Sequence, residues 1–243
     1  MRKYAQELES RVAFLRQALA DSGASGFVFN NSGGKDCALT GILCKKACGN
    51  TVGLCLPCHA RRNFGEDLQD ALALSERFGI EARQVDLTQA RAALVEALDG
   101  ATALNDMALT NLAPRLRMMA AYAVAASENR LVAGTGNRSE AYMGYFTKWG
   151  DGAYDVNPIA DLTVTEVYEF LRFLDAPQHI LEKAPSAGLF EGQTDEQEMG
   201  VTYAAIDRYL FTGEAEPHDR EIIERYHARS AHKRRMPLTY PGR

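Results

Sequence analysis

Short apolar segments alternate with stretches of helical periodicity along most of the chain. The first of these stretches predicts an amphipathic helix over residues 3–20, because apolar residues recur there every three or four positions, between charged ones. These residues are Tyr4, Leu8, Val12, Leu15 and Leu19. We expect this helix to pack on the body of the protein through its apolar face.

Four apolar runs are typical of buried strands, and they lie at 26–30, 52–56, 82–85 and 131–133. Further helices are predicted at 36–47, 66–78, 88–98, 114–127 and 167–174. Local signals support several ends: Gly79 as a C-cap, Pro114 in a first turn, and a capping box of Thr163 and Glu166. Strands that alternate with helices predict an α/β fold, a doubly wound and mostly parallel sheet with flanking helices.

The length of 243 residues fits a single domain of this kind, and its ligands are expected beyond the carboxyl ends of the strands. Residues 184–200 look different, because they contain glycines and a proline and have no period. We interpret them as a surface loop, which is either a lid over a nearby site or a passive connection.

The composition is 46% hydrophobic and 24% charged, with a net charge of −5, which is ordinary for a globular protein. This acidic balance gives no support for a nucleic-acid partner or an acidic membrane surface. No apolar run approaches the ~18 residues that indicate a membrane helix. Because no export signal is recognisable, we expect a cytoplasmic protein whose five cysteines are reduced.

The strongest local signal is the segment Asn31–Cys37 (NSGGKDC), which follows a predicted strand and opens a predicted helix. Its two glycines allow a tight turn and a close approach of the backbone to a ligand. The free N–H groups of a helix start favour an anion, Ser32 adds a hydroxyl donor, and Asp36 can hold Mg²⁺ against phosphate oxygens. The segment lacks the earlier glycine of a Walker A loop. It therefore predicts a phosphate site of another kind, with an ordinary strand-to-helix turn as the alternative.

This segment resembles the pyrophosphatase loop of the N-type ATP pyrophosphatases, whose members include GMP synthetase and NAD synthetase. Further stretches closely resemble NAD synthetase in particular, over roughly residues 26–238. They are the signature stretches 134–140, 144–152 and 155–159, the interface helix 111–118, the loop stretches 185–189 and 193–196, and the tail 232–234.

The resemblance implies an adenine nucleotide alpha hydrolase-like fold and an AMP-forming ligase of NAD biosynthesis. In this reaction ATP adenylates the nicotinate carboxylate of deamido-NAD and pyrophosphate leaves. Ammonia then attacks the NAD-adenylate, which gives NAD and AMP. The chain is too short for an added glutaminase domain, so we expect free ammonia or a separate amidase to supply the nitrogen. Relatives of this kind are homodimers with the dinucleotide at the subunit interface.

The same resemblance implies the site residues. Catalysis is assigned to Asp36, Glu140, Lys148 and Asp151, and Mg²⁺ to Asp36 and Glu140. ATP is assigned to Ser32, Gly33, Gly34, Lys35, Asp36, Cys37, Thr135 and Ser186. The acceptor substrate is assigned to Arg115, Tyr145, Lys148, Asp151, Asp155, His232 and Lys233. Taken singly, such residues have plainer interpretations, as solvated charges or, for Tyr145, as a core aromatic.

Two positions depart from the family pattern. Cys37 replaces the usual final serine of the loop, and its place at a helix N-terminus predicts a lowered thiol pKa and ready oxidation. Val164 replaces a lysine that reaches the phosphates in many relatives. Two alternatives stay open beside this interpretation, and the departures at Cys37 and Val164 are compatible with the second of them. One is a related enzyme that acts on another acceptor, such as nicotinate mononucleotide or a tRNA base, and the other is a nucleotide-binding protein without catalysis.

Overall fold

The structure, a computed structural model, describes residues 2–183 and 194–241. Within these residues four parallel strands form one sheet in the order β3-β2-β1-β4. The strands are β1 (Gly26–Asn30), β2 (Thr51–Cys55), β3 (Glu81–Gln84) and β4 (Arg130–Val132). The chain runs outward from β1 to β3 and then returns to the other side of β1. This order confirms the doubly wound sheet and puts the topological switch point between β1 and β4.

The helices cover both faces of the sheet. The first five are α1 (Tyr4–Ser22), α2 (Lys35–Ala47), α3 (Glu66–Phe78), α4 (Thr88–Leu98) and α5 (Asp106–Glu128). They are followed by α6 (Arg138–Met143), α7 (Val164–Phe173), α8 (Gln178–Glu182), α9 (Asp195–Met199), α10 (Tyr203–Thr212) and α11 (Pro217–Arg229). Short 3₁₀ segments lie at Arg61–Phe64 and Ala231–Lys233. The predicted strands and the first four predicted helices are confirmed, with ends that differ by at most one or two residues.

Side chains of β1 alternate between two apolar cores, as the pleat of a strand requires. Phe27 and Phe29 pack on one face with Leu15 and the buried side of α2. Val28 points to the other face, where it packs with Leu116 of α5. A third cluster lies apart from the sheet and joins α6, α7, α10 and α11. Through this third cluster, α6 is fixed at the carboxyl end of β4.

Two predictions about elements were wrong. Pro114 does not open a helix, because α5 begins at Asp106, with the Asn105 side chain accepting a hydrogen bond of 2.9 Å from Ala108 N. The helix continues through the proline since Pro114 and its neighbour Ala113 are both buried. The predicted loop 184–200 contains α9 in its last part, whereas residues 184–193 lie outside the described residues. The capping box of Thr163 and Glu166 is confirmed, at the start of α7.

Among the described residues, we find no helix with the length and apolar character needed to cross a membrane.

Candidate active site

A cavity of about 770 Å³ opens beyond the carboxyl ends of β1, β2 and β4, where the sheet order places a ligand. Its floor is the loop between β1 and α2. Gly33 in this loop has φ of 72°, and a Cβ there would lie 2.3 Å from the Asp67 carbonyl oxygen at the start of α3. Only glycine allows that turn, which brings the loop backbone against α3. Within the part of the chain that the structure describes, no side chain caps the start of α2, so the first N–H groups of this helix can donate to a ligand.

Two carboxylates meet across the switch point. Asp36 lies in the first turn of α2 and Glu140 in the first turn of α6. Asn137 bridges them: its Nδ2 donates to Asp36 Oδ1 at 3.0 Å, and its backbone N–H donates to Glu140 Oε2 at 3.2 Å. Burial and the nearby Asp36 charge raise the pKa of Glu140 well above its usual range. A carboxylate pair so arranged attracts a cation.

Lys35 supplies a cation to this pair in the structure. Its Nζ lies 2.7 Å from Asp36 Oδ2 and 3.9 Å from Glu140 Oε1. Burial of Lys35 opposes its charged form, but the attraction of Asp36 and Glu140 outweighs burial and raises the pKa of the ammonium. The resemblance implied Lys35 beside ATP, but the pairing of Lys35 with both carboxylates was not predicted.

The residues also fit a magnesium ion. Within residues 2–183 and 194–241, His, Cys, Asp and Glu side chains nowhere form the group of three or more that a protein-only metal cage needs. Mg²⁺ does not require such a cage, because it usually keeps several waters and takes one or two carboxylates together with substrate phosphates. Asp36 and Glu140, at the edge of a cavity, are a donor set of that type.

Cys37 corrects the expectation of a lowered thiol pKa. The side chain is 7% exposed, and burial raises its pKa even though Cys37 lies in the first turn of α2. Its Sγ lies 3.1 Å from Ser32 Oγ, so thiol and hydroxyl share a hydrogen bond at the cavity floor. Val164 is buried in the third apolar cluster, and its backbone N–H donates to Ser139 Oγ at 3.2 Å.

The far wall of the cavity carries Asp151, where Asp151 Oδ1 accepts a hydrogen bond of 3.0 Å from Thr147 N. The residue as a whole is exposed, yet desolvation of the carboxyl by the protein packed around it raises its pKa. Lys233 from the C-terminal tail donates to the carbonyl oxygens of Gly144 and Phe146 at 2.8 and 2.7 Å. Burial lowers the pKa of Lys233, although the Asp151 charge opposes that shift.

Sequence reasoning missed two cations of this cavity. Arg117 of α5 donates to the Leu56 carbonyl oxygen at 2.9 Å and to Asn63 Oδ1 at 2.8 Å, and burial lowers its pKa. Lys183 lies 2.8 Å from Asp67 Oδ1. Arg117 lies within the stretch 111–118, in which only Arg115 was assigned a role, and Lys183 lies outside the signature and loop stretches. Each residue reaches the cavity through the packing of its own element. Asn137 had a detectable signal, because the spacing from Asn137 to Glu140 is that of a capping box.

The structure brings most of the expected residues to the cavity wall and leaves others outside it. Along the wall lie Ser32, Gly34, Lys35, Asp36, Cys37, Thr135, Glu140, Tyr145, Asp151, His232 and Lys233. Among the described residues, those expected at the site but absent from the wall are Gly33, Arg115, Lys148 and Asp155. Ser186 lies outside the described residues.

Three of the residues away from the wall lie on one outer surface. Arg115 is exposed on α5, and its Nε donates to the Lys148 carbonyl oxygen at 3.4 Å. Lys148 Nζ donates to the His232 carbonyl oxygen at 2.7 Å and lies 5.4 Å from the centre of the Trp149 ring. The Asp155 carboxylate accepts from Val132 N at 2.8 Å and from the Tyr122 hydroxyl at 3.2 Å. These contacts fix the surface between α5 and the tail.

Known proteins resemble this chain in both sequence and structure. The NH(3)-dependent NAD(+) synthetase of Carboxydothermus hydrogenoformans is 45% identical over 235 residues, 96% of each chain. The NMN synthetase from Francisella tularensis superposes with a TM-score of 0.95 and 40% identity, and each chain is covered completely. The NH3-dependent NAD synthetase from Campylobacter jejuni superposes with a TM-score of 0.80 and 26% identity, over 99% of this chain and all of that one.

A family model described as NAD synthase matches residues 7–237. This range includes the β1–α2 loop, the carboxylate pair and the tail that closes the far wall. Since the match runs through every part of the cavity, we conclude that the chain belongs to the NAD synthase family.

Proposed function

We propose that this protein amidates deamido-NAD with ammonia in an ATP-dependent reaction that yields NAD, AMP and pyrophosphate. The observation that carries the proposal is the meeting of Asp36 and Glu140 across the switch point, beside the start of α2. Membership of the NAD synthase family and the names of its relatives support the same reaction.

The β1–α2 loop binds the triphosphate in this proposal. The first N–H groups of α2 and the hydroxyl of Ser32 donate to phosphate oxygens, and Thr135 from the loop after β4 meets the nucleotide from the other side. Asp36 and Glu140 would hold a Mg²⁺ ion, which supplies positive charge that offsets the phosphate charge when it is bound. Asn137 keeps both carboxylates oriented toward that position.

Asp151 faces the acceptor end of the cavity. Its raised pKa makes it a better proton acceptor than an ordinary carboxylate, and its negative charge favours an ammonium ion nearby. We propose that Asp151 binds ammonium and takes the proton that must leave before nitrogen attacks the adenylate. Lys233, together with Tyr145 and His232, contacts the acceptor on the same wall.

A homodimer completes the acceptor site in this proposal. Met119 is 64% exposed and Tyr122 is 36% exposed, and both share a face of α5 with Arg115 because residues three and four positions apart lie side by side on a helix. Lys148 and Asp155 border that face through their contacts with Arg115 and Tyr122. Their position beside an exposed apolar face suits residues that contact a dinucleotide at a subunit interface.

The proposal is tested by turnover with two acceptors. The purified protein receives ATP, Mg²⁺, ammonium and either deamido-NAD or nicotinate mononucleotide, and AMP and the amide product are measured by mass spectrometry. We expect AMP to form in step with NAD when deamido-NAD is present. Glu140→Gln should lower this rate strongly, whereas Glu9→Gln, on the exposed side of α1, should leave it unchanged. ATP binding without AMP from either acceptor would contradict the proposal.

Nicotinate mononucleotide is the second candidate acceptor. One observation supports it: the superposition on the Francisella tularensis NMN synthetase has a TM-score of 0.95, against 0.80 for the Campylobacter jejuni NAD synthetase. The two acceptors share the nicotinate carboxylate, so the same cavity chemistry serves both. If AMP forms only with the mononucleotide, the second candidate replaces the first.

A further inference from the structure

Lys35 is held inside the site and not on the protein surface. It is the first residue of α2, yet it is only 7% exposed. The aromatic rings of Tyr168 and Tyr203 lie 5.9 and 5.6 Å from its Nζ, beside the two carboxylates that it contacts. A lysine ammonium is rarely buried unless it is paired with a negative charge. The position of Lys35 is therefore fixed by Asp36 and Glu140.

Asn137 divides the carboxylate oxygens into two sets. It donates to Asp36 Oδ1 and to Glu140 Oε2. Lys35 contacts the other oxygen of each carboxylate, Asp36 Oδ2 and Glu140 Oε1. A cation held by both carboxylates would contact these two oxygens, because Asn137 occupies the other two. An ammonium 2.7 Å from one of them and a metal ion bound to both require the same space.

We propose that Lys35 is an exchangeable counterion, which neutralises Asp36 and Glu140 in the nucleotide-free protein and leaves them for the triphosphate when a divalent cation binds. The inference rests on the metal ligands of the proposed function. Charge supports the exchange, because a divalent cation carries two positive charges and offsets more of the negative charge of a carboxylate pair than one ammonium does. The displaced ammonium then lies in a cavity lined by Ser32 and Gly34, where the anionic phosphates attract it.

The variant Lys35→Met tests separately the two interactions proposed for this lysine, with the carboxylate pair and with the phosphates of ATP. Without nucleotide, at pH 8, loss of the competing ammonium should tighten Mn²⁺ binding about tenfold, measured by electron paramagnetic resonance of the free ion. With EDTA present, loss of the phosphate partner should weaken ATP binding about tenfold, measured by calorimetry. Lys46→Met removes the same charge from the exposed end of α2 and should change neither affinity. A purely structural lysine would not produce opposite changes.

The outcomes distinguish this inference from the proposed function. Equal Mn²⁺ affinity in the wild type and Lys35→Met overturns the exchange and leaves the metal site intact. No Mn²⁺ binding to any variant, with or without ATP, overturns the metal site itself. If Lys35→Met is unfolded in EDTA, circular dichroism with Mn²⁺ decides: recovery of the fold supports the exchange, and continued unfolding overturns it.

Discussion

At the scale of single residues, the approach of Asp36 and Glu140 could be predicted from the sequence. Residues that follow neighbouring parallel strands come together at one edge, so their approach follows from the order of elements. The bridge through Asn137 and the inward turn of Lys35 depend on side-chain orientation, which no periodicity records. The pKa of the Cys37 thiol also depends on the tertiary structure. Burial raises this pKa and outweighs the effect of the helix N-terminus, which is the only one of the two that the sequence indicates.

Cys37→Ser should keep or raise the amidation activity. A hydroxyl replaces the thiol beside Ser32 and is a better hydrogen-bond donor at the cavity floor. The rate with ATP, ammonium and the acceptor is compared with that of Cys48→Ser, a change at the partly exposed end of α2. A loss of activity of more than about tenfold, ~1.4 kcal/mol, would argue against a role of Cys37 as a simple hydrogen-bond donor to phosphate.

The raised pKa of Asp151 leads to a prediction for the pH dependence of the amidation activity. Because its pKa is raised, the carboxyl is protonated at a higher pH than an ordinary aspartate, and activity should fall as the pH drops through that pKa. Asp151→Asn should lower kcat by about 10²- to 10⁴-fold at constant free ammonia and remove this acidic limb. Asp99→Asn, at the exposed end of α4, is the control. An unchanged acidic limb in Asp151→Asn would show that another group titrates.

At the scale of elements, α5 shows why a local rule fails. A proline usually marks a helix start, because it lacks an N–H group and clashes with the preceding turn. In α5 the helix continues through Pro114, since Ala113 and Leu116 beside it are buried in the core on one face of the sheet. Tertiary packing decides this boundary, and a single sequence does not display it. By contrast, the capping box at Thr163 is a local signal and is confirmed.

The contact between the β1–α2 loop and α3 gives a prediction at this scale. Gly33→Ala should destabilise the protein by about 2–4 kcal/mol. The positive φ at position 33 is unfavourable for alanine, and the new Cβ would lie too close to the Asp67 carbonyl oxygen. Urea unfolding measures the loss. Gly49→Ala is the matched control, as open space surrounds its Cβ, and it should change stability by no more than about 0.5 kcal/mol. Equal stabilities would mean that the loop adapts without cost.

At the scale of the whole molecule, the sheet order and the place of the cavity follow from the alternation of strands and helices. The third apolar cluster was not predicted, because the helices α10 and α11 join α6 and α7 through contacts between distant parts of the chain. This cluster fixes Glu140 relative to the sheet, so the distance between the two carboxylates depends on parts of the chain far apart in sequence.

Assembly supplies the prediction for the whole molecule. If α5 forms the subunit interface, Met119→Glu should convert a dimer to a monomer in light scattering and weaken binding of the dinucleotide acceptor, since it places a charge in an apolar contact. Phe211→Glu makes the same kind of change at a residue that is 56% exposed on α10 and should leave the dimer unchanged. A wild type that is monomeric at micromolar concentration would contradict the dimer.

Trp149 has a practical consequence for all of these experiments. It is the single tryptophan of the chain, 57% exposed, and it lies beside Lys148 and the tail that carries His232 and Lys233. Its indole emission therefore comes from one known place at the rim of the acceptor site. Titration with the dinucleotide should change the intrinsic fluorescence without any attached dye, so the protein contains its own optical reporter of acceptor binding.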